Sequence, residues 1–356
     1  TDTGKRLHKA IAAQIRKLDY TRPITAAEDK TPDKSTIYDE CDAIGINYNL
    51  SIYDAVHKMR PDKPIFASEC CATGTTRDWN FDTAVSGRIQ DKDRDTNDWF
   101  LGREKTYKFL RERSYVFGCY QWAAVEHRGE AAWPRVCSCS GALDLFLQKK
   151  GAFYQNKSHW TKDPMAHIVP HWNFKGLEGR EIPVTVYTNC EELELFLNGK
   201  PLGKRQIEKY GHGEWSVEYI PGTLEVKGYI GGREVCGDKR VTTGRPAALK
   251  LTQDNDFTAN GSDIALFTCE CVDENGLTVP DAAEYVRFSV SAPAKIIGTG
   301  SDNCDHNNVA NTDRKMYMGK IRIAIKPKQG QVSFTLTAMS DNCGVCEKTV
   351  SLCAEN

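Results

Sequence analysis

Lys63-Pro64-Ile65-Phe66-Ala67-Ser68-Glu69 is a short apolar strand that delivers one carboxylate at its carboxyl-terminal end. Strand ends of that kind carry the reactive groups of (β/α) barrels, so the flanking segments decide whether such a fold is present. Upstream, Ile24-Thr25-Ala26-Ala27 and Asp42-Ala43-Ile44-Gly45-Ile46-Asn47-Tyr48 read as two more strands, and Tyr53, Val56, His57 and Met59 mark a helix before Lys63. At the start, Leu7, Ile11, Ile15 and Leu18 recur at helical spacing until Asp19-Tyr20-Thr21-Arg22-Pro23 breaks the pattern. Downstream, a polar loop over 76–97 precedes a helix over 99–113, a buried strand over 116–123 and a closing helix over 150–160. Four βα units in succession predict a parallel sheet under helices. Eight units close a barrel, so four make half of one.

From about Asp163 the helical periodicity stops and short strands alternate with glycine turns. Val184-Thr185-Val186-Tyr187-Thr188 and Leu193-Glu194-Leu195-Phe196-Leu197 are two strands, and Asn198-Gly199 is a hairpin signal because both residues tolerate positive φ. Strands around Trp215 and Leu224 complete this zone. After Gly244-Arg245-Pro246 a third zone has strands over 249–252, 264–272, 286–291, 320–325 and 332–338. The expected division is a half barrel over 1–163 and two β-sandwiches over 164–244 and 245–356.

Composition narrows the partners. The 356 residues carry 47 basic and 48 acidic side chains, a net charge of −1, with no basic stripe, which argues against nucleic acid or an anionic membrane surface. No apolar run approaches a membrane span, and residues 1–20 read as a polar helix rather than a leader. Fourteen cysteines occur, but Cys343-x-x-Cys346 is the one C-x-x-C, so zinc lacks its second pair. Several cysteines fall in alternating strands, where a thiol acts as a small apolar residue. That pattern favours free thiols and a reducing, cytoplasmic setting, with a periplasmic or secreted one left open. No cofactor or metal is expected. His127 and His306 lack companions at ligand spacing and are expected to hydrogen-bond near the surface.

Several segments together resemble bacterial β-galactosidase-like enzymes of glycoside hydrolase family 2, in their C-terminal part. They are Leu18-Asp19-Tyr20-Thr21-Arg22-Pro23, Gly45-Ile46-Asn47-Tyr48-Asn49, the strand ending in Glu69, Arg128-Gly129-Glu130 with Trp133-Pro134, and Tyr154-x-x-Lys157-Ser158-x-Trp160. Pro170-His171-Trp172-Asn173 and Glu194-Leu195-Phe196-Leu197-Asn198-Gly199 are similar to the immunoglobulin-like domain after the barrel, and Val272-Asp273-Glu274-Asn275-Gly276 to the terminal sandwich. The resemblance implies the C-terminal half of a (β/α)8 TIM barrel followed by two immunoglobulin-like β-sandwich domains. It implies a retaining β-glycosidase, with a β-glycoside or oligosaccharide as substrate. It assigns the nucleophile to Glu69, a supporting tyrosine to Tyr48, a sugar floor to Trp122, and rim contacts to Asn49, Glu126 and Arg128.

The acid/base of this family closes an Asn-Glu pair on a strand that would precede residue 1, and no Asn-Glu pair occurs in the sequence. Retention needs two carboxyl groups roughly 5–5.5 Å apart, one attacking and one protonating the leaving oxygen. The chain by itself is therefore expected not to turn over. Glu126 and Glu130, just past the last strand, sit on the wrong side of a closed barrel to replace the acid. Ala72 stands where some members place a histidine, so that sugar contact is not carried over; Pro134-Arg135-Val136-Cys137 runs where β-glucuronidases carry an Asn-x-Lys feature, which favours galactoside over glucuronide. A half barrel would leave two strand edges and an apolar face, to be covered by the N-terminal half of the same enzyme or by a second copy. The competing reading is a non-catalytic carbohydrate-binding or structural module.

Overall fold

The computed structural model describes residues 2–31, 33, 37–81 and 87–351. Its first part runs α1 (Asp2–Leu18), β1 (Thr25–Glu28), β2 (Ala43–Asn47), α2 (Tyr53–Met59), β3 (Ile65–Cys70), α3 (Arg103–Arg111), β4 (Val116–Gln121) and α4 (Gly151–Trp160). The four strands form one parallel sheet in the order β1-β2-β3-β4. Its core follows from strand alternation: Ile44, Ile46, Ile65 and Ala67 point to one face and meet Tyr53 and Val56 of α2 and Tyr107 and Leu110 of α3. Lys63 anchors the strand before Glu69 by donating to the carbonyls of Tyr38 and Cys41 at 2.6 and 2.7 Å.

Three expectations change. Among the described residues β1 is followed by a 3-10 turn, Ile37–Asp39, and not by a helix. Helix α3 begins at Arg103 because the Asp93 carboxylate accepts from the Arg103 and Glu104 amides at 2.8 and 3.0 Å, fixing the start there. The preceding Trp99 and Phe100 amides are turned instead toward Asn97 Oδ1. Strand β4, read as buried, is an open edge: Phe117 is 62% and Tyr120 66% exposed. The sequence shows that this run is apolar but not that its outer neighbour is lacking. The same holds for α1, whose Leu7, Ile11, Ile15 and Leu18 all face solvent while Ala12 alone is buried.

The rest of the chain is antiparallel sheet. After β5 (Ala166–Val169), β6 (Glu181–Thr188), β7 (Glu192–Leu197), β8 (Lys200–Gln206), β9 (His212–Glu218), β10 (Thr223–Ile230) and β11 (Arg233–Val241), the sheets are β5-β6-β9 and β11-β10-β7-β8. They enclose Trp172, Val186, Leu195, Trp215 and Val226. Asn198 and Gly199, at φ 51° and 78°, make the predicted β7–β8 hairpin turn. Strands β12 (Ala248–Gln253), β13 (Ala265–Val272), β14 (Tyr285–Val290), β15 (Lys295–Gly300), β16 (Asp313–Lys315), β17 (Lys320–Lys326), β18 (Ser333–Ser340) and β19 (Gly344–Ser351) follow. They form the sheets β12-β13-β17-β15 and β16-β14-β18-β19 over Phe267, Cys269, Ile323, Phe334 and Leu336.

Polar clamps join the parts. Buried Arg77 donates to Asp144 Oδ2 at 2.8 Å and to the Tyr317 carbonyl at 3.1 Å, and Tyr317 Oη returns a bond to the Arg77 carbonyl. On the other side His212 of β9 lies between Glu104 of α3 and Glu214, with Nδ1 2.5 Å and Nε2 3.0 Å from their oxygens. Burial lowers the His212 pKa, but the two carboxylates outweigh it and leave it above 6.5. Burial raises Glu104, and His212 and Lys108 reverse that, holding it at about 2. The histidine's raised pKa gives stability that is full below its unfolded value and is lost as pH rises through the folded one. The acid's depressed pKa gives stability that is lost only as pH falls toward about 2. Wild type should therefore exceed His212→Gln in Tm most clearly near pH 5–6, roughly the interval between the two ordinary pKa values, and the gap should narrow above it. Melting curves across pH 5–9 (about four units, spanning the titration) check this; a gap that widens with pH would contradict the assigned linkage.

Candidate active site

Three residues singled out in the sequence come together where the parallel strands end. Glu69 is in the last turn of β3, Tyr48 follows β2, and Trp122 follows β4. The sheet itself sets their order: the Tyr48 amide donates to the Glu69 carbonyl at 2.8 Å, and the Trp122 amide to the Cys70 carbonyl at 2.8 Å. Tyr48 Oη donates to Glu69 Oε2 at 2.8 Å. Burial first, and then the Glu69 carboxylate, push the phenol far above its usual range, so it is a fixed donor at any working pH. Tyr48 adopts φ +57°, an uncommon conformation for a bulky residue, and its ring packs edge-on to Phe100 at 5.0 Å. The tight reversal after β2 is what turns the hydroxyl back over β3. Beside it, Ser68 Oγ donates to Asn47 Oδ1 at 2.7 Å, locking the two strand ends.

An open cavity of about 370 Å3 lies at the ends of β1 and β2, lined by Glu28, Asp29, Asn47, Tyr48, Trp99 and Phe100 among others. Two carboxylates beside two aromatic rings make a wall suited to the hydroxyls and apolar face of a sugar. Trp99 and Phe100 were not singled out in the sequence; an aromatic pair inside an otherwise polar loop was the available signal.

The remaining expected contacts fare differently. Asn49 does not point its amide at this cavity: Nδ2 donates to the Asp29 carbonyl at 3.0 Å, and Oδ1 accepts from Ser51 at 2.6 Å, so it braces the β1 end. Arg128 is exposed. Glu130, a candidate partner for it, faces His127 Nε2 at 3.4 Å instead, and His127 packs edge-on to Trp122. His306 bonds the Pro134 carbonyl at 2.8 Å. Glu126, expected at the sugar-facing rim, is corrected outright. Its side chain is 1% exposed and pairs with Lys150 Nζ, itself 0% exposed, at 2.7 Å. Lys150 also donates to the Cys139 carbonyl, and Glu126 accepts from the Leu145 amide. A carboxylate can be buried here because a cation and an amide replace its water. Among the described residues no three His, Cys, Asp or Glu side chains converge on a common metal position, and no helix is long and apolar enough to cross a membrane.

Residues 249–349 match the family described as glycoside hydrolase family 2 C-terminal domain 5, and residues 179–236 a domain of unknown function, DUF4982. A β-galactosidase, BoGH2A, of Bacteroides ovatus is 30% identical across 93% of this chain and 42% of its own length. A β-glucuronidase of Formosa agariphila is 29% identical across 82% of this chain and 31% of its own. A solved glycosyl hydrolase family 2 member from Bacteroides cellulosilyticus superposes with TM-score 0.83 at 26% identity, covering 99% of this chain and 46% of that one. A β-glycosidase structure from Bacteroides vulgatus gives TM-score 0.86 at 23% identity over 98% of this chain and 49% of that one, a likeness of fold. These relatives are glycoside hydrolases, and their likeness runs through both the parallel sheet and the antiparallel modules of this chain. The chain resembles the C-terminal part of glycoside hydrolase family 2 members, and it spans about half the length of the relatives it matches or less.

Proposed function

We propose that this chain is the nucleophile-bearing portion of a retaining β-glycosidase. Glu69 attacks the anomeric carbon, Tyr48 orients its carboxylate, and Trp122 floors the sugar. The observation that carries the reading is the Tyr48–Glu69 hydrogen bond of 2.8 Å at the carboxyl end of a parallel strand. A donor there selects one lone pair of Oε2 and leaves Oε1 for attack. The parallel sheet is the back half of an eight-stranded barrel, with the division 1–163, 164–244 and 245–356 setting the barrel portion and two immunoglobulin-like modules. The acid/base stands on a strand of the complementary half. A β-galactoside is the sugar read from the sequence, in keeping with the Bacteroides ovatus relative, a β-galactosidase; other relatives are β-glucuronidases.

The test pairs activity with labelling. With the complementary half present, a chromogenic β-galactoside should be hydrolysed faster than the matching β-glucuronide, and a fluorinated glycosyl inactivator should add its sugar to Glu69. The opposite preference would overturn the sugar, and a label elsewhere would overturn the nucleophile. No turnover and no label would leave the non-catalytic module.

The uncovered surface supports a complement. Leu7, Ile11 and Leu18 of α1 are exposed, as are Phe117 and Tyr120 of the edge strand β4. Between β4 and α4 an apolar cavity of about 750 Å3 is lined by Tyr120, Leu143, Phe153 and Trp160. Leaving such surface in water costs roughly 25 cal/mol per Å2. The N-terminal half of the same enzyme would cover both surfaces, and a second copy of the chain is the competing arrangement. The 356-residue chain studied without a complement should self-associate or bind an apolar dye strongly, and lose the dye when the complement is added. A dye-free monomer in light scattering would remove the argument.

A further inference from the structure

Cys190 lies in the turn that carries the chain from β6 in the three-stranded sheet to β7 in the four-stranded one, and Cys236 lies on the edge strand β11. Their Sγ atoms are 3.3 Å apart although 46 positions separate them in sequence. Between them runs Gly228 of β10, paired with Cys236 on one side and Leu193 on the other. A Cβ on Gly228 would stand 2.7 Å from Cys236 Sγ and 2.8 Å from Cys190 Sγ, so the missing side chain is the space the two sulfurs share. Cys190 is buried and Cys236 is partly exposed, so Cys236 is the residue nearer to solvent. Among the other close thiols of the described residues, Cys70 and Cys119 also join a buried to a partly exposed cysteine, while two further pairs lie wholly inside. Cys70 and Cys71 are sequence neighbours and both buried, and Cys271 and Cys343 are both buried.

We propose that Cys190 and Cys236 form a covalent modification site, closing to a disulfide when the folded protein meets a small disulfide such as oxidised glutathione. The Cys236 thiolate attacks one glutathione sulfur and expels the other as a thiolate, leaving a mixed disulfide. Cys190 then attacks the Cys236 sulfur and expels the second glutathione. One protein S–S bond forms and one glutathione S–S bond breaks; two cysteines are oxidised, and the two thiol protons end on two reduced glutathiones. The first proton leaves the coupled pair early: the S–H contact holds the Cys190 thiol down and the Cys236 thiol up, so the anion rests on Cys190 and reaches Cys236 by proton transfer across the 3.3 Å contact before the attack.

Closure would tie the edge strand to the turn that anchors the entry into this region. Next to Cys190, Asn189 accepts from the Met165 amide at 2.9 Å and donates to the Asp163 carbonyl at 2.8 Å. Cross-linking such distant positions removes freedom from the unfolded chain, so the oxidised form should melt higher.

The experiment treats the full folded chain with oxidised glutathione, alkylates remaining thiols after denaturation, and maps peptides by mass spectrometry. The expected product is a peptide pair joined through Cys190 and Cys236, with a Tm that rises by several degrees and returns on adding dithiothreitol. Gly228→Ala should slow formation of the pair at least several-fold, because its methyl occupies the shared space. Recovery of both cysteines as alkylated monomers, or joining of Cys236 to a different cysteine, would overturn the proposal. So would a Gly228→Ala protein that cross-links as fast as wild type.

Discussion

Glu69→Gln, in protein supplied with its complementary half, should lower kcat by on the order of 10^4 to 10^6, the range seen when an enzyme loses its covalent nucleophile. The amide is nearly isosteric and can keep the 2.8 Å bond from Tyr48 Oη, so folding and KM should change little. What disappears is the negative oxygen that forms the glycosyl-enzyme. Azide offers the chemical check in Glu69→Gly, which opens the space: it should restore partial turnover and give the glycosyl azide of inverted anomeric configuration if residue 69 is the nucleophile. Tyr48→Phe separates orientation from attack. It removes the donor and keeps the carboxylate, so its cost should be far smaller, near the 10^2–10^3 seen for one lost transition-state hydrogen bond. An unchanged kcat in Glu69→Gln would refute the assignment.

Lys150→Met should destabilise the first part of the chain by about 3–5 kcal/mol, the cost of leaving one member of a buried pair uncompensated. The pair is unusually complete: 2.7 Å, with the two side chains 0% and 1% exposed. Burial already pushes the Glu126 pKa up, and Lys150 partly holds it down. Without Lys150 the acid must take a proton or draw in water. Adding Glu126→Leu to Lys150→Met should recover much of the loss, since an apolar pair of similar volume avoids both desolvation penalties. Urea unfolding of the single and double variants, followed by tryptophan fluorescence, measures it. Additive losses would mean that the two groups are not coupled. A Glu126→Gln enzyme that lost activity without losing stability would return Glu126 to the sugar rim.

The elements that could be read from sequence were those whose pattern is set by their own residues. Ile44, Ile46, Ile65 and Ala67 announce strands because alternate side chains must share a face. Asn198-Gly199 announces a hairpin because both residues accept positive φ at small cost. Strands β5, β8, β11, β15, β16 and β19 were not read in advance. Several of them are edges or polar ribbons, such as β8 with Lys200, Lys204 and Arg205, in which pairing with a neighbour, not apolar alternation, makes the strand. At the site, Tyr48, Glu69 and Trp122 were legible because each closes a strand of the same parallel sheet. Glu126 was misread because nothing adjacent to it in sequence reveals Lys150, 24 positions away, as its partner. Trp99 and Phe100 were missed because the loop that carries them is placed by the Asp93 and Asn97 side chains.

By itself the sequence determined the succession of parallel and antiparallel zones, the strand that carries Glu69 and the resemblance to a glycosidase family. Periodicity and turn chemistry are local and survive without knowledge of distant contacts. Tertiary structure alone decided which carboxylate stays partly exposed and which is sealed against a lysine, and that β4 and α1 present apolar surface outward. It also decided that two cysteines remote in sequence share one glycine's empty side-chain position. Burial and pairing are properties of what lies across the fold, and a linear chain does not specify its own neighbours in space.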